Sequence, residues 1–142
     1  MENLRNKIEE AVNLYKYRKF SEAEVISKKL LVKNPKVSFL YNLLGLILVA
    51  QSKNDEAIKF YEKGIVVKPD YSMIYNNLGT VYKSQKNYVK AENYYKKSID
   101  LDNKIPESQN NLGSLYVDLN KYDEAIISFK NSISINSKFY IA

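Results

Sequence analysis

Asparagine is the residue whose placement in this chain could do chemistry. Asn76–Asn77 and Asn110–Asn111 stand 34 residues apart, and Asn42 stands 34 residues before Asn76. A carboxamide carries both a donor and an acceptor, so amides repeated at a fixed rise can hydrogen-bond the backbone of an extended peptide whatever its side chains are. The chain is rich in Lys, Asn, Ile and Tyr, so composition alone supplies some of the Asn; periodic placement is harder to explain that way. No stronger chemistry competes. The sequence has no His and no Cys, which removes the commonest general base, disulfides and thiolate metal sites. Asp, Glu, Lys, Tyr and Ser remain, and they form no triad, metal cluster or phosphate loop. The expectation is a protein that is not an enzyme and needs no cofactor.

Of 22 basic residues only Arg5 and Arg18 are Arg, the side chain whose planar fork best suits phosphate and guanine. The formal charge of +6 therefore reads as a Lys-rich solvated surface, and no specific nucleic acid is expected as a partner. Val37 to Ala50, "VSFLYNLLGLILVA", is the most apolar run, but Lys53, Asp55 and Glu56 close it short of the roughly 20 residues that span a bilayer. The first thirty residues show no unbroken apolar stretch of the secretory kind. No membrane association is expected, and a cytoplasmic location is.

The elements that position the amides follow from an internal repeat. "YNLLGLIL" at Tyr41, "YNNLGTVY" at Tyr75 and "QNNLGSLY" at Gln109 keep a step of 34 residues. Gly45, Gly79 and Gly113 keep it too, as do Ala57, Ala91 and Ala125, and Tyr61, Tyr95 and Phe129. One step earlier, Ala11, Ala23 and Pro35 mark a fourth, more divergent copy. Tyr75, Leu78, Gly79 and Tyr82 fall at i, i+3, i+4 and i+7, one stripe of an α-helix; Ala91, Tyr94, Tyr95 and Ser98 repeat that spacing after the polar break "SQKNY". Each unit is thus a helical hairpin. Pro35 and Pro69 follow second helices, where Pro cannot continue them, and Pro106 suits a first turn. Glycine inside a helix costs about 1 kcal/mol relative to Ala, so its recurrence demands a close helix approach, expected to be eased by the small Ala57, Ala91 and Ala125 on the facing helix.

This pattern resembles the tetratricopeptide repeat: an aromatic, Leu-Gly, a second aromatic, a small Ala, another aromatic and a closing Pro. The resemblance covers nearly the whole chain and implies an all-α, right-handed superhelical solenoid. Its repeats are about 4–37, 38–71, 72–105 and 106–139, in one array over 1–142, with 140–142 opening a fifth unit that the chain truncates. Gln109, Leu48, Asn103 and Ser137 depart from the pattern, and Lys7 and Glu10 in the first copy read as a polar end cap.

"YNNLGTVYK" looks most like repeats of the O-linked N-acetylglucosamine transferase type, in which an Asn before Leu-Gly forms a ladder along the concave surface. Asn77 and Asn111 match it; Leu43 and Glu9 do not. The resemblance implies a concave groove for an extended protein segment, lined by Asn42, Leu46, Val49, Met73, Asn76, Asn77, Thr80, Asn110, Asn111 and Ser114. Phe39, Leu43 and Ala50 share its apolar end, unless Val12 and Tyr15 cover Leu46 and Val49. A carboxylate clamp of the chaperone-tail kind is not matched, because Ile8, Asn42 and Asn76 stand where its first Lys belongs. Lys59, Lys63, Lys96, Lys97 and Lys130 fall on the outward surface.

The function expected is a non-catalytic scaffold for protein partners. The alternative is the recognition arm of a larger enzyme, such as a glycosyltransferase, whose catalytic domain lies outside this chain. Phe129, Ile133, Ile135, Phe139 and Tyr140 lack a following unit, which predicts self-association through that end.

Overall fold

The computed structural model describes residues 3–141, with side chains as far as Lys138. They form α1 (Leu4–Lys16), α2 (Phe20–Lys33), α3 (Ser38–Ala50), α4 (Asn54–Val67), α5 (Ser72–Ser84), α6 (Tyr88–Leu101), α7 (Pro106–Asp118) and α8 (Tyr122–Ile141). Consecutive helices pair as hairpins in the expected register. The hairpins group into two compact units, one ending at Tyr71 and the other beginning at Ser72, so the division falls on a repeat boundary.

Every hairpin turns in the same way. The residue after the first helix's cap is left-handed at Arg18, Ser52, Lys86 and Asn120, with φ between 57° and 62°. The next N–H, of Lys19, Lys53, Asn87 and Lys121, then donates to the carbonyl of Leu14, Leu48, Tyr82 and Tyr116 at 2.8–2.9 Å. This six-to-one bond satisfies a carbonyl that the helix end would leave open. None of the four is glycine, although the left-handed region costs an L-residue about 1–2 kcal/mol.

The recurrent glycines Gly45, Gly79 and Gly113 have a different packing reason from the one expected. The side chain lying over each is the aromatic sixteen residues on, not the alanine. A Cβ added at Gly79 would come within 2.7 Å of the Tyr95 ring, and one at Gly113 within 2.8 Å of the Phe129 ring; at Gly45 it would meet the Tyr61 ring closer still. Phe129 is therefore part of its hairpin's interior rather than an unpartnered end residue. The first hairpin lacks the pair: Ala11 stands at the glycine position and Ser27, fully buried, at the aromatic one.

The first unit's core explains the apolar run. Leu40, Leu44, Ile47 and Leu48 of α3 are fully buried, and Leu43 and Ile47 close on Ala11 and Ala23, with Val12, Tyr15 and Phe20 packed around them. Leu43, expected on an open face, is instead part of this core, because α1 lies against it. Glu24 of α2, only 8% exposed, ties α2 to the turn beyond α3: its carboxylate accepts from Lys53 at 2.9 Å, from Gln51 at 2.8 Å and from Lys28. Those bonds, Lys28 first, outweigh desolvation and hold the carboxyl down at about 2.

In the second unit Glu92, one repeat pair later, accepts from Lys96 at 2.7 Å and from the Tyr116 hydroxyl at 2.9 Å, and its pKa is lowered by the same kind of bonds. The end of this unit departs from the others. α2, α4 and α6 each run 14 residues, whereas α8 runs 20, with no break after Ile135. Ser137 stands where Pro35 and Pro69 stand and leaves the helix free to continue. Ile133 is 64% exposed on it and Ile135 is half-buried; the side chains of Phe139 and Tyr140 lie outside the described residues.

Candidate functional site

α5 and α7 lie side by side in the second unit and bring most of the expected polar residues together. Asn111 Nδ2 donates to Asn76 Oδ1 at 3.1 Å. Lys83 Nζ donates to Ser114 Oγ at 2.6 Å and pairs with Asp118 at 3.4 Å. Thr80 Oγ1 donates to the Asn76 carbonyl at 3.2 Å and accepts from the Tyr95 hydroxyl at 3.2 Å. The strip is a chain of satisfied groups whose rotamers are fixed before any ligand arrives, which lowers the ordering cost of binding.

Access along it is uneven. Thr80 is exposed; Met73, Asn77, Asn111 and Ser114 are half-buried. Asn76 is 4% exposed and Asn42 in the first unit 5%, so these two amides, expected on the groove floor, belong to the interior. Asn76 is spent on Asn111, and Asn42 shares a hydrogen bond with the Tyr71 phenol, whose pKa is raised by burial against that bond. Asn110 is exposed but takes no part in the strip. Asn111 keeps its Oδ1 and one N–H for an incoming backbone.

Lys83 and Asp118, which the sequence puts on the same helix faces although not among the peptide-binding residues, close the strip. The signal lay in a step of 35 rather than 34: Asn76 meets Asn111, and Lys83 meets Asp118, because neighbouring first helices join residues one position out of the repeat register.

In the first unit Leu46 and Val49 are half-buried and Phe39 is 39% exposed. Leu46 occupies the repeat position of Thr80, and its lack of a hydroxyl is felt nearby. Tyr61, the counterpart of Tyr95, is fully buried with no partner for its hydroxyl among the described residues, and burial first, then Tyr15, pushes its pKa far up. Lys59, Lys63, Lys96, Lys97 and Lys130 are all exposed, as expected. Among the described residues no cluster of three carboxylates could hold a metal ion, and no helix is long and apolar enough to cross a membrane.

Models of the tetratricopeptide repeat match residues 72–104 and 106–139, and a further model of the same repeat matches 45–86. The chain belongs to the tetratricopeptide-repeat family. No curated protein matches it in sequence. Among solved structures, MamA is 22% identical with a TM-score of 0.83, over 99% of this chain and 82% of that one. TTC0263, a thermophilic protein of the same repeat type from Thermus thermophilus, is also 22% identical at a TM-score of 0.83, over 90% and 71%. A chain of the APC/C hetero-tetramer Cut9-Hcn1 is 20% identical at 0.88; this chain spans 96% of its own length but 26% of that one. These likenesses establish the fold, an all-α assembly of helix-turn-helix units, and none of them singles out the O-linked N-acetylglucosamine transferase type.

Proposed function

We propose that this chain is a non-catalytic scaffold for protein–protein interaction, and that the α5–α7 strip of its second unit receives an extended peptide segment. The observation that carries the reading is the Asn76–Asn111 bond beside Lys83, Ser114 and Asp118: a preorganised row of amide, hydroxyl and charge on adjacent first helices, with half of the Asn111 amide uncommitted. Asn77 and Asn111 supply the sequence-independent backbone bonds, and Met73, Thr80 and Ser114 flank them. In the first unit, the partly open Phe39, Leu46 and Val49 suit an apolar side chain.

A cytoplasmic setting and self-association through α8 at Ile133 belong to the same proposal. A strictly monomeric chain in sedimentation at high concentration would remove the latter. For the peptide reading, a segment selected by display against the chain should lose about ten- to a hundredfold in affinity on Asn77→Ala with Asn111→Ala, at roughly 0.5–1.5 kcal/mol per neutral hydrogen bond. An unchanged affinity would place binding elsewhere.

A further inference from the structure

A second hollow lies on another side of the same unit, and Lys138, on the overrun of α8, is one of the residues that line it. Between the end of α8 and the start of α7 lies a hollow of about 490 Å³, lined by Asn131, Ser134, Ile135 and Lys138 on α8 and by Gln109 and Lys104. A narrower hollow of about 310 Å³ shares Gln109 and Asn131 and continues it along Leu112 and Tyr116. Gln109 and Asn111 are two positions apart, roughly 200° around a helix of about 3.6 residues per turn, so this groove and the amide strip use opposite faces of α7.

Two features of the sequence shape it. Gln109 replaces the aromatic that Tyr41 and Tyr75 supply in the same repeat position, which leaves less side-chain bulk in the hollow. Lys104 and Lys138 line the wider hollow and neither forms an ion pair among the described residues, while the narrower hollow holds Lys96, already tied to Glu92, together with Asp100 and Glu124. Asp102, the nearest acid in sequence, directs its carboxylate to the backbone N–H of Lys104 at 2.9 Å. Ile135 and the aliphatic stems of its neighbours, beside two ammonium groups unpaired among the described residues, are complementary to one kind of occupant. We infer that this groove docks an acidic peptide segment of a partner protein, seating a bulky apolar side chain against Ile135 and Gln109 and its carboxylates on Lys104 and Lys138. The volume falls in the range of about 300–1,000 Å³ usual for small binding pockets, enough for one aromatic side chain and its neighbours.

A labelled, end-blocked peptide Glu-Asp-Phe-Glu-Asp, followed by fluorescence polarisation on the intact chain at low salt, tests this. It should bind about tenfold or more tightly than Lys-Lys-Phe-Lys-Lys or Glu-Asp-Ala-Glu-Asp, a difference that rising salt erodes. Lys104→Glu with Lys138→Glu, both at the surface, should invert the preference between acidic and basic peptides. Gln109→Tyr with Ser134→Trp fills the hollow and should abolish binding, with an unchanged circular dichroism spectrum showing the fold intact. Asn77→Ala with Asn111→Ala should leave it unaffected, which separates this groove from the amide strip. Equal binding of acidic and basic peptides overturns the inference, as does affinity that survives filling of the hollow or falls with the Asn variants. So does occupation of the groove by a second copy of the chain, seen as a dimer that the filled variant dissolves.

Discussion

Tyr61 and Tyr95 occupy the same position in successive repeats, and removing the same oxygen from each should have opposite effects. Tyr61 is fully buried with no partner for its hydroxyl among the described residues, and a buried polar group left unsatisfied costs about 1–3 kcal/mol. Tyr61→Phe relieves that cost, keeps the ring over Gly45, and leaves a void of only about 10 Å³, worth roughly 0.2 kcal/mol at about 24 cal/mol per Å³. The net expectation is a gain of about 1 kcal/mol. Tyr95→Phe instead deletes the bond to Thr80, worth about 0.5–1.5 kcal/mol, without orphaning Thr80, which stays exposed and bonded to the Asn76 carbonyl. The two variants should thus differ by about 2 kcal/mol in urea denaturation followed by circular dichroism, and by about 6 °C in melting temperature. Equal destabilisation by both, or a larger loss for Tyr61→Phe, would show that the Tyr61 hydroxyl is satisfied and that the Leu46–Thr80 difference is without consequence.

Other perturbations test the hairpins themselves. Gly79→Ala gains about 1 kcal/mol of helix propensity but drives a methyl into the Tyr95 ring, so thermal melting should show a net loss of about 1–2 kcal/mol. Ala11→Gly, with Ser27 rather than an aromatic sixteen residues on, should simply lose about 1 kcal/mol. Lys86→Gly should stabilise by about 0.5–1 kcal/mol by removing a left-handed side chain, and Asn120→Gly by less, since Asn tolerates that region best. Glu24 is held near 2 in the folded chain against the usual 4.5, so its contribution is fully present above pH 4.5 and is lost as pH falls through 2. Because Lys28 and Lys53 are 45% and 40% exposed, solvent leaves about 1 kcal/mol of it, and Glu24→Gln should flatten acid unfolding by that amount between those limits.

The hairpins were legible because the 34-residue step fixes Gly, Ala and aromatic positions together, and no other helical register buries all three. The opening apolar run was legible as a core helix for the same reason. What the step hid was everything set by neighbours out of register. Leu43 looked open until α1 lay on it. Asn76 looked accessible because its partner Asn111 stands 35 residues on, a spacing that a 34-residue comparison passes over. The glycines announced a close approach, but only the backbone geometry shows that a ring rather than a methyl makes it. The left-handed turn residues gave little warning, since only Asn120 carries the asparagine signal and Arg18, Ser52 and Lys86 carry neither glycine nor asparagine. The overrun of α8 turns on an absence, the missing proline at Ser137, which permits a helix without requiring one.

Mapping a display-selected peptide onto the chain by amide chemical-shift perturbation tests the scaffold reading most directly. Binding along the second unit's first helices predicts shifts concentrated at Asn77, Thr80, Asn111 and Ser114, including the Asn111 side-chain N–H, and their loss in Asn77→Ala with Asn111→Ala. Shifts absent from those four residues and confined to other helix faces, with affinity untouched by the double substitution, would contradict it.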